Sequence, residues 1–298
     1  MKKVYILSIL SLVGQTCWAQ IRDFQTTRLN STAGAGVASI LSTEAAILNP
    51  ASSSFFEGSS FSYQAYKTTL KKENDKRDLN NDDFPSSNKS QGFFLSDHSG
   101  PVKGGFAYLQ QDENNFNRER LSLHGAVPIS ENASFGVRYG YFLDKKPPNL
   151  GKRHETHHQA TIGTTYIVDD DTVLGLIAID PARTNAGDER LIAGFQYDLA
   201  DRFMLIGDLG TQYTKDVQDK FLWRAAIQIN IFDDLFLKAG RFWDNIETLK
   251  GSGWGFSWIG PRIGIEFAQK ISENFGQDSY IYKDEKLIDT SLSALVKF

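Results

Sequence analysis

VPISENASFGVRYGYFL (127–143) decides the fold, because an acidic turn at Ser130 to Asn132 leads into a run in which apolar and polar residues alternate. Phe135, Val137, Tyr139, Tyr141 and Leu143 share one face, and Ser134, Gly136, Arg138 and Gly140 share the other. A period of two belongs to a β-strand, since a helix repeats every ~3.6 residues. The same unit recurs at YIVDDDTVLGL (166–176), YDLADRFMLIG (197–207) and INIFDDLFLKA (229–239). Each short acidic turn closes one hairpin.

The connections between these hairpins are longer and polar: 71–90, 111–118, 144–158, 181–190, 214–220 and 243–253. Short turns on one side and long loops on the other are the pattern of a bacterial outer-membrane barrel. Greek-key sandwiches do not sort their connections in this way. The register predicts an all-β fold: a transmembrane antiparallel up-and-down β-barrel of about fourteen strands over 59–298, with both ends on the periplasmic side. The chain closes on LSALVKF, with Phe298 last and Val296, Ala294 and Leu292 at alternate positions before it, as a closing strand requires. Trp223, Trp243, Trp254, Tyr141 and Tyr213 are expected at the outer strand ends, and Tyr166 and Tyr197 at the periplasmic ends, forming two interfacial belts.

The first 19 residues read as a secretory signal peptide: Lys2 and Lys3, an apolar run from Val4 to Val13, then Cys17-Trp18-Ala19 as the cleavage site. Cys17 is the one cysteine of the 298-residue chain, so residues 20–298 form no disulfide. After the signal no run approaches the ~18 apolar residues of a spanning helix, and the mean hydropathy is negative, as alternating barrel strands allow. A net charge of −4 gives no basic footprint for nucleic acid.

Chemistry is poorly represented. There is no Gly-x-Ser-x-Gly elbow, phosphate loop or zinc-protease motif, and no cofactor is implied. Asp97-His98-Ser99 holds the letters of a relay, but adjacent residues cannot present one, so an enzyme is not expected. His154, His157 and His158 crowd one polar stretch and are weak metal candidates. Asp78, Asn80 and Asp82 imitate a calcium loop without its glycine or its final glutamate. The inward positions are more telling: Arg120, His124, Arg138, Asp208, Arg224 and Glu266, with Gln196, Gln228, Lys238 and Lys297, mix both signs. Mixed charge suits a hydrated, plugged lumen more than a sign-selective ion pore.

Residues 20–58 differ in composition, rich in Ala, Ser and Gly and poor in charge, and are expected to form a plug inside the barrel. Within them, Gly34-Ala35-Gly36, Glu44-Ala45-Ala46 and Asn49-Pro50-Ala51 resemble the N-terminal signature of the FadL family of outer-membrane transporters for long-chain fatty acids and other hydrophobic compounds. Related PorV-like barrels of the type IX secretion system carry the same signature. The resemblance covers about twenty residues locally, and Ser52-Ser53 stand where the family has Gly-Leu.

That resemblance implies a hatch gated by Asn49, Pro50, Ala51, Gly34, Gly36 and Glu44, and a break in an early strand that opens a lateral path. Gly104-Gly105 is the candidate for the break, unless it only belongs to a tight turn in HSGPVKGG. It also implies passive uptake of a hydrophobic, fatty-acid-like small molecule across the outer membrane of a Gram-negative cell. The other partners would be outer-membrane lipids and the barrel assembly machinery. The alternative is a non-transporting PorV-like barrel that anchors or shuttles a protein partner at the surface.

Overall fold

The computed structural model describes residues 23–40, 42–56, 58–72, 87–113, 116–145, 154–185, 187–200, 202–216, 219–275 and 285–298. The expected signal peptide and the calcium-like stretch 78–83 lie outside them. Fourteen strands form one closed barrel: β1 (Ser59–Lys72), β2 (Ser87–Asp97), β3 (Lys103–Glu113), β4 (Phe116–Pro128), β5 (Ala133–Lys145), β6 (His154–Ile167) and β7 (Thr172–Ile179), then β8 (Arg190–Leu199), β9 (Phe203–Thr211), β10 (Phe221–Phe232), β11 (Leu235–Asp244), β12 (Leu249–Ile259), β13 (Ile263–Asn274) and β14 (Glu285–Lys297). Every neighbour in sequence is a neighbour in space, and β14 returns to β1. The last residue takes part in the closure, since Phe298 and Ser59 exchange two backbone hydrogen bonds of 2.9 Å.

Alternation sorts the two faces. On β5 the inward Ser134, Gly136, Arg138 and Phe142 are buried while Val137, Tyr139 and Tyr141 are exposed on the outside. On β8 and β9 the outward Leu191, Phe195, Tyr197, Phe203, Leu205 and Leu209 are all exposed. An exposed greasy exterior around a polar interior is the reverse of a water-soluble barrel. It is stable only where lipid covers the outside and water or protein fills the inside. The chain is therefore an outer-membrane-type barrel.

The acidic turns fall where alternation expects them, between β4 and β5, β6 and β7, β8 and β9, and β10 and β11. The opposite connections are shorter than their polarity suggests. β3 and β4 leave only 114–115 between them, where 111–118 reads as a loop, and β11 and β12 leave 245–248. Strand pairing continues beyond the apolar band, so polar runs at the outer ends are strand rather than loop. Within the belts, Trp223 and Trp243 pair near the outer ends of β10 and β11. Trp254 stands at mid-height on β12, and Tyr213 leaves the wall altogether, its hydroxyl donating to the Asp180 carbonyl at 2.6 Å.

The N-terminal segment packs against inward-facing side chains of the wall. It contains α1 (Thr27–Ser31), α2 (Ser42–Ala45) and a 3-10 turn at Pro50–Phe55. Thr26 caps α1, its hydroxyl accepting from the Leu29 amide. Asn49 caps the 3-10 turn in the same way, accepting from the Ala51 amide, with Pro50 at its first position. This segment leads directly into the end of β1 that lies on the side of the short acidic turns, where β14 also ends.

Candidate functional site

The N-terminal segment is held through its backbone. Asp208 on β9 accepts from the Gly36 amide at 2.9 Å and the Val37 amide at 3.1 Å, so one carboxylate grips two consecutive N–H groups. Arg224 on β10 donates to the Gly34 carbonyl at 3.1 Å, and Gln64 on β1 accepts from the Thr27 amide at 2.8 Å. Short Ala, Ser and Gly side chains expose the main chain, which is why polar groups of the wall can bond to it.

Asn49 is the densest node. Its amide nitrogen donates to the Val37 carbonyl at 2.8 Å, the Thr165 hydroxyl at 3.0 Å and the Thr164 carbonyl at 3.2 Å, while its oxygen accepts from the Ala51 amide. It ties the segment to itself and to β6. Two wall glycines make room for this approach: a Cβ on Gly163 would stand 2.2 Å from the Asn49 side-chain oxygen, and one on Gly136 2.5 Å from the Ala51 nitrogen. Ser134 adds a hydrogen bond to the Ala51 carbonyl at 2.9 Å. Glu44 is buried and accepts from Thr26 at 2.7 Å and Thr43 at 2.6 Å, so it braces the segment internally.

Above the segment, on the side of the outer strand ends, lies a cavity of about 100 Å³. Phe24, Leu29, Ile47, Leu48, Tyr66 and Ile192 are among its apolar lining, and Asp23 is among its acids. Four arginines also border it, and they divide into two kinds. Arg190 pairs with Glu247 at 2.8 Å and Arg224 lies 3.8 Å from Asp244. Arg120 and Arg138 have no direct carboxylate ion pair among the described residues, and Asp23 of the same lining acts on both only through space. Arg120 donates to Ser122 at 2.9 Å and stacks over Phe142 at 4.7 Å, leaving one terminal nitrogen without a partner. Arg138 donates to the Ile47 carbonyl, to Gln159 at 2.8 Å and to Thr161 at 2.6 Å, leaving its Nε unmatched. They are 4 % and 2 % exposed, so neither charge is relieved by bulk water.

The remaining expected lumen residues also face inward. His124 lies across the sheet from Gly105 and from Arg138. Glu266 binds Lys238 at 2.7 Å with Ser257 bridging them, a closed polar cluster on β11 to β13. Gly104 and Gly105 do not break their strand. Both pair with β2 and with β4 in unbroken register, and a Cβ on Gly105 would meet the Leu95 carbonyl at 2.2 Å. Close approach of neighbouring chains, and not a bulge, accounts for glycine there. The histidines are part of β6 and not of a loop, so alternation sends His157 inward onto the Phe142 ring at 4.4 Å and His158 outward beside Tyr139 and Tyr141. That separation prevents the three from sharing one ion. Asp97 serves its own turn, accepting from the Ser99 amide and hydroxyl.

Gly136 and Gly163 escape a sequence reading aimed at charged lumen positions. Their signal is glycine at an inward position, with Gly163 flanked by Thr161 and Thr165.

These observations define a fourteen-stranded barrel of the outer-membrane class, with the N-terminal segment bound to inward-facing residues of its wall. No family model and no curated protein matches the chain in sequence. In structure it is similar to the CymD monoaromatic hydrocarbon channel, with a TM-score of 0.71 and 13 % identity over 92 % of this chain and 97 % of that one. It is also similar to the Ralstonia pickettii toluene transporter TbuX (TM-score 0.64, 11 % identity, 92 % and 98 % covered). A Pseudomonas aeruginosa FadL homologue gives a TM-score of 0.58 at 13 % identity, with the same two shares of 92 % and 98 %. The fold is thus that of FadL-type outer-membrane channels.

Proposed function

We propose that the protein is a passive outer-membrane channel for a hydrophobic small molecule, with residues 20–58 acting as its hatch. The observation that carries this is the cavity above the hatch, whose lining combines apolar side chains with two buried guanidinium groups, Arg120 and Arg138, that make no direct carboxylate ion pair and share the through-space field of one lining acid, Asp23. An apolar body with one anionic end satisfies both halves, so the reading extends to fatty-acid-like ligands. At about 100 Å³ the cavity is smaller than the ~150 Å³ that accommodates a single benzene ring, so a ligand of that size or longer requires the hatch to yield. Asn49 is the contact whose release allows that, because it joins Val37, β6 and the 3-10 turn at one side chain. No energy source is encoded, and the gradient of the ligand drives passage. Insertion through the barrel assembly machinery into outer-membrane lipid belongs to the same proposal.

The test is equilibrium binding of a fluorescent fatty acid, and of its uncharged alcohol analogue, to the purified barrel and to Arg120→Gln. A charge-assisted hydrogen bond contributes ~1.5–3 kcal/mol. The acid should therefore weaken roughly 10- to 100-fold, while the alcohol is unchanged. Equal loss for both probes, or none for either, contradicts the assignment of the anionic end.

A further inference from the structure

The lipid-facing wall is not uniform. On β10 the outward residues Trp223, Ala225, Ile227, Ile229 and Ile231 are apolar along its length. On β1 the outward order from the periplasmic end is Phe61, Tyr63, Ala65, then Lys67. Ala65 pairs with Gln91 of β2, which pairs with Gln110 of β3, so two amides face outward beside it. Tyr63 donates to Gln91 at 3.3 Å and Gln91 donates to Gln110 at 3.1 Å. They stand six or seven residues from the periplasmic ends of strands whose crossing takes ~9–11, which places them inside the hydrocarbon layer. Amides there are costly unless something polar meets them.

The small side chain of Ala65 leaves a cleft of about 610 Å³ between these amides and the apolar Leu292 and Phe267. At its outer rim Lys67 and Lys89 are exposed and directly opposite one another across β1 and β2. Neither has an ion pair among the described residues. Asp112 stands directly opposite Lys89 on β3 and lines the same cleft, but it accepts from Asn117 and makes no ion pair with Lys89, so the rim keeps a net positive charge. Two like charges side by side destabilise a bare wall and favour an anion between them.

We propose that this cleft is a binding site for a phosphorylated glycolipid of the outer leaflet, of the lipid A type. Its phosphate lies against Lys67 and Lys89, its acyl amide and hydroxyl groups meet Gln91 and Gln110, and one acyl chain enters between Ala65 and Leu292 and runs down past Tyr63 and Phe61. Read outward along β1, the order of groups is acyl surface, amide, cation, which matches such a lipid from tail to head. The site is independent of the lumen and of what passes through it.

Native mass spectrometry of the full barrel, released from mixed micelles containing bisphosphorylated lipid A or phosphatidylcholine, tests this. The wild type should retain lipid A and not phosphatidylcholine. The double variant Lys67→Glu/Lys89→Glu should retain at least about tenfold less, equivalent to ~1.4 kcal/mol. Ala65→Phe, which fills the cleft without touching charge, should lower retention as well. Heat-modifiable migration on a gel verifies that each variant is folded. Equal retention of lipid A by all three proteins, no retention by the wild type, or equal retention of phosphatidylcholine overturns the proposal. So does a lipid-independent dimer that Ala65→Phe dissociates, which assigns the cleft to a second copy of the chain.

Discussion

Asn49 ties the N-terminal segment both to itself and to β6, since it serves three acceptors and one donor. Asn49→Ala leaves these buried groups unmatched at ~1–3 kcal/mol each, so the hatch is expected to loosen by about 3 kcal/mol while the wall stays closed. Hydrogen exchange of residues 34–52 in the detergent-solubilised barrel measures this. Faster exchange there, with the strands still protected, is the expected outcome. Gly163→Val should have the same effect from the opposite side, because its side chain would occupy the space of the Asn49 oxygen. An unchanged exchange pattern in Gly163→Val contradicts the packing described. At this scale the charged lumen set was legible in the sequence, since Arg138, Asp208 and Arg224 occupy the polar side of strictly alternating runs. Their partners were not, because backbone carbonyls at Gly34 and Ile47 have no sequence signal.

Among the elements, the outer connection between β7 and β8 owes its order to carboxylates rather than to length. Asp180 accepts from the Thr184 amide at 3.0 Å and the Asn185 amide at 2.7 Å, and Asn185 reaches the His158 carbonyl at 2.6 Å. Glu189 holds the base of the same connection, accepting from Thr214, from Gln212 at 3.1 Å and from the Gly187 amide at 2.7 Å. Burial by itself would push the Glu189 carboxyl up; the hydrogen bonds outweigh it and hold it at about 2. A depressed carboxylate stabilises above its ordinary pKa of ~4.3, and that stabilisation is lost only as pH falls toward 2. Limited proteolysis within 180–189 should therefore be as slow at pH 4.5 as at pH 7. Glu189→Gln should be cut severalfold faster at both, and protection equal to that of the wild type would count against the tether. Strand identity was readable from period two and turn position from the acidic dipeptides. Strand ends were not, because polar residues such as Gln111 and Arg118 obey the same alternation whether they stand in lipid or in water.

For the whole molecule, closure follows from Phe298 pairing with Ser59 at the start of β1, and an even number of strands puts both ends of the barrel on one side. The N-terminal segment accounts for the polar interior. Arg224, Asp208 and Gln64 face inward because a main chain rich in free N–H and C=O groups lies against them. The likeness to solved channels at 11–13 % identity is a likeness of fold, so transport rests on the cavity above the hatch and on the two arginines beside it. Uptake by whole cells is the most direct test. A Gram-negative host lacking its own long-chain fatty-acid channel would express this chain, or Asn49→Ala as a loosened hatch, with heat-modifiable migration confirming the barrel in the outer membrane. Entry of radiolabelled oleate and of toluene is then measured. Accelerated entry of at least one probe with the wild type, and a further change with Asn49→Ala, is the predicted result. A folded, outer-membrane barrel that accelerates neither would contradict a channel and favour the surface-anchor alternative.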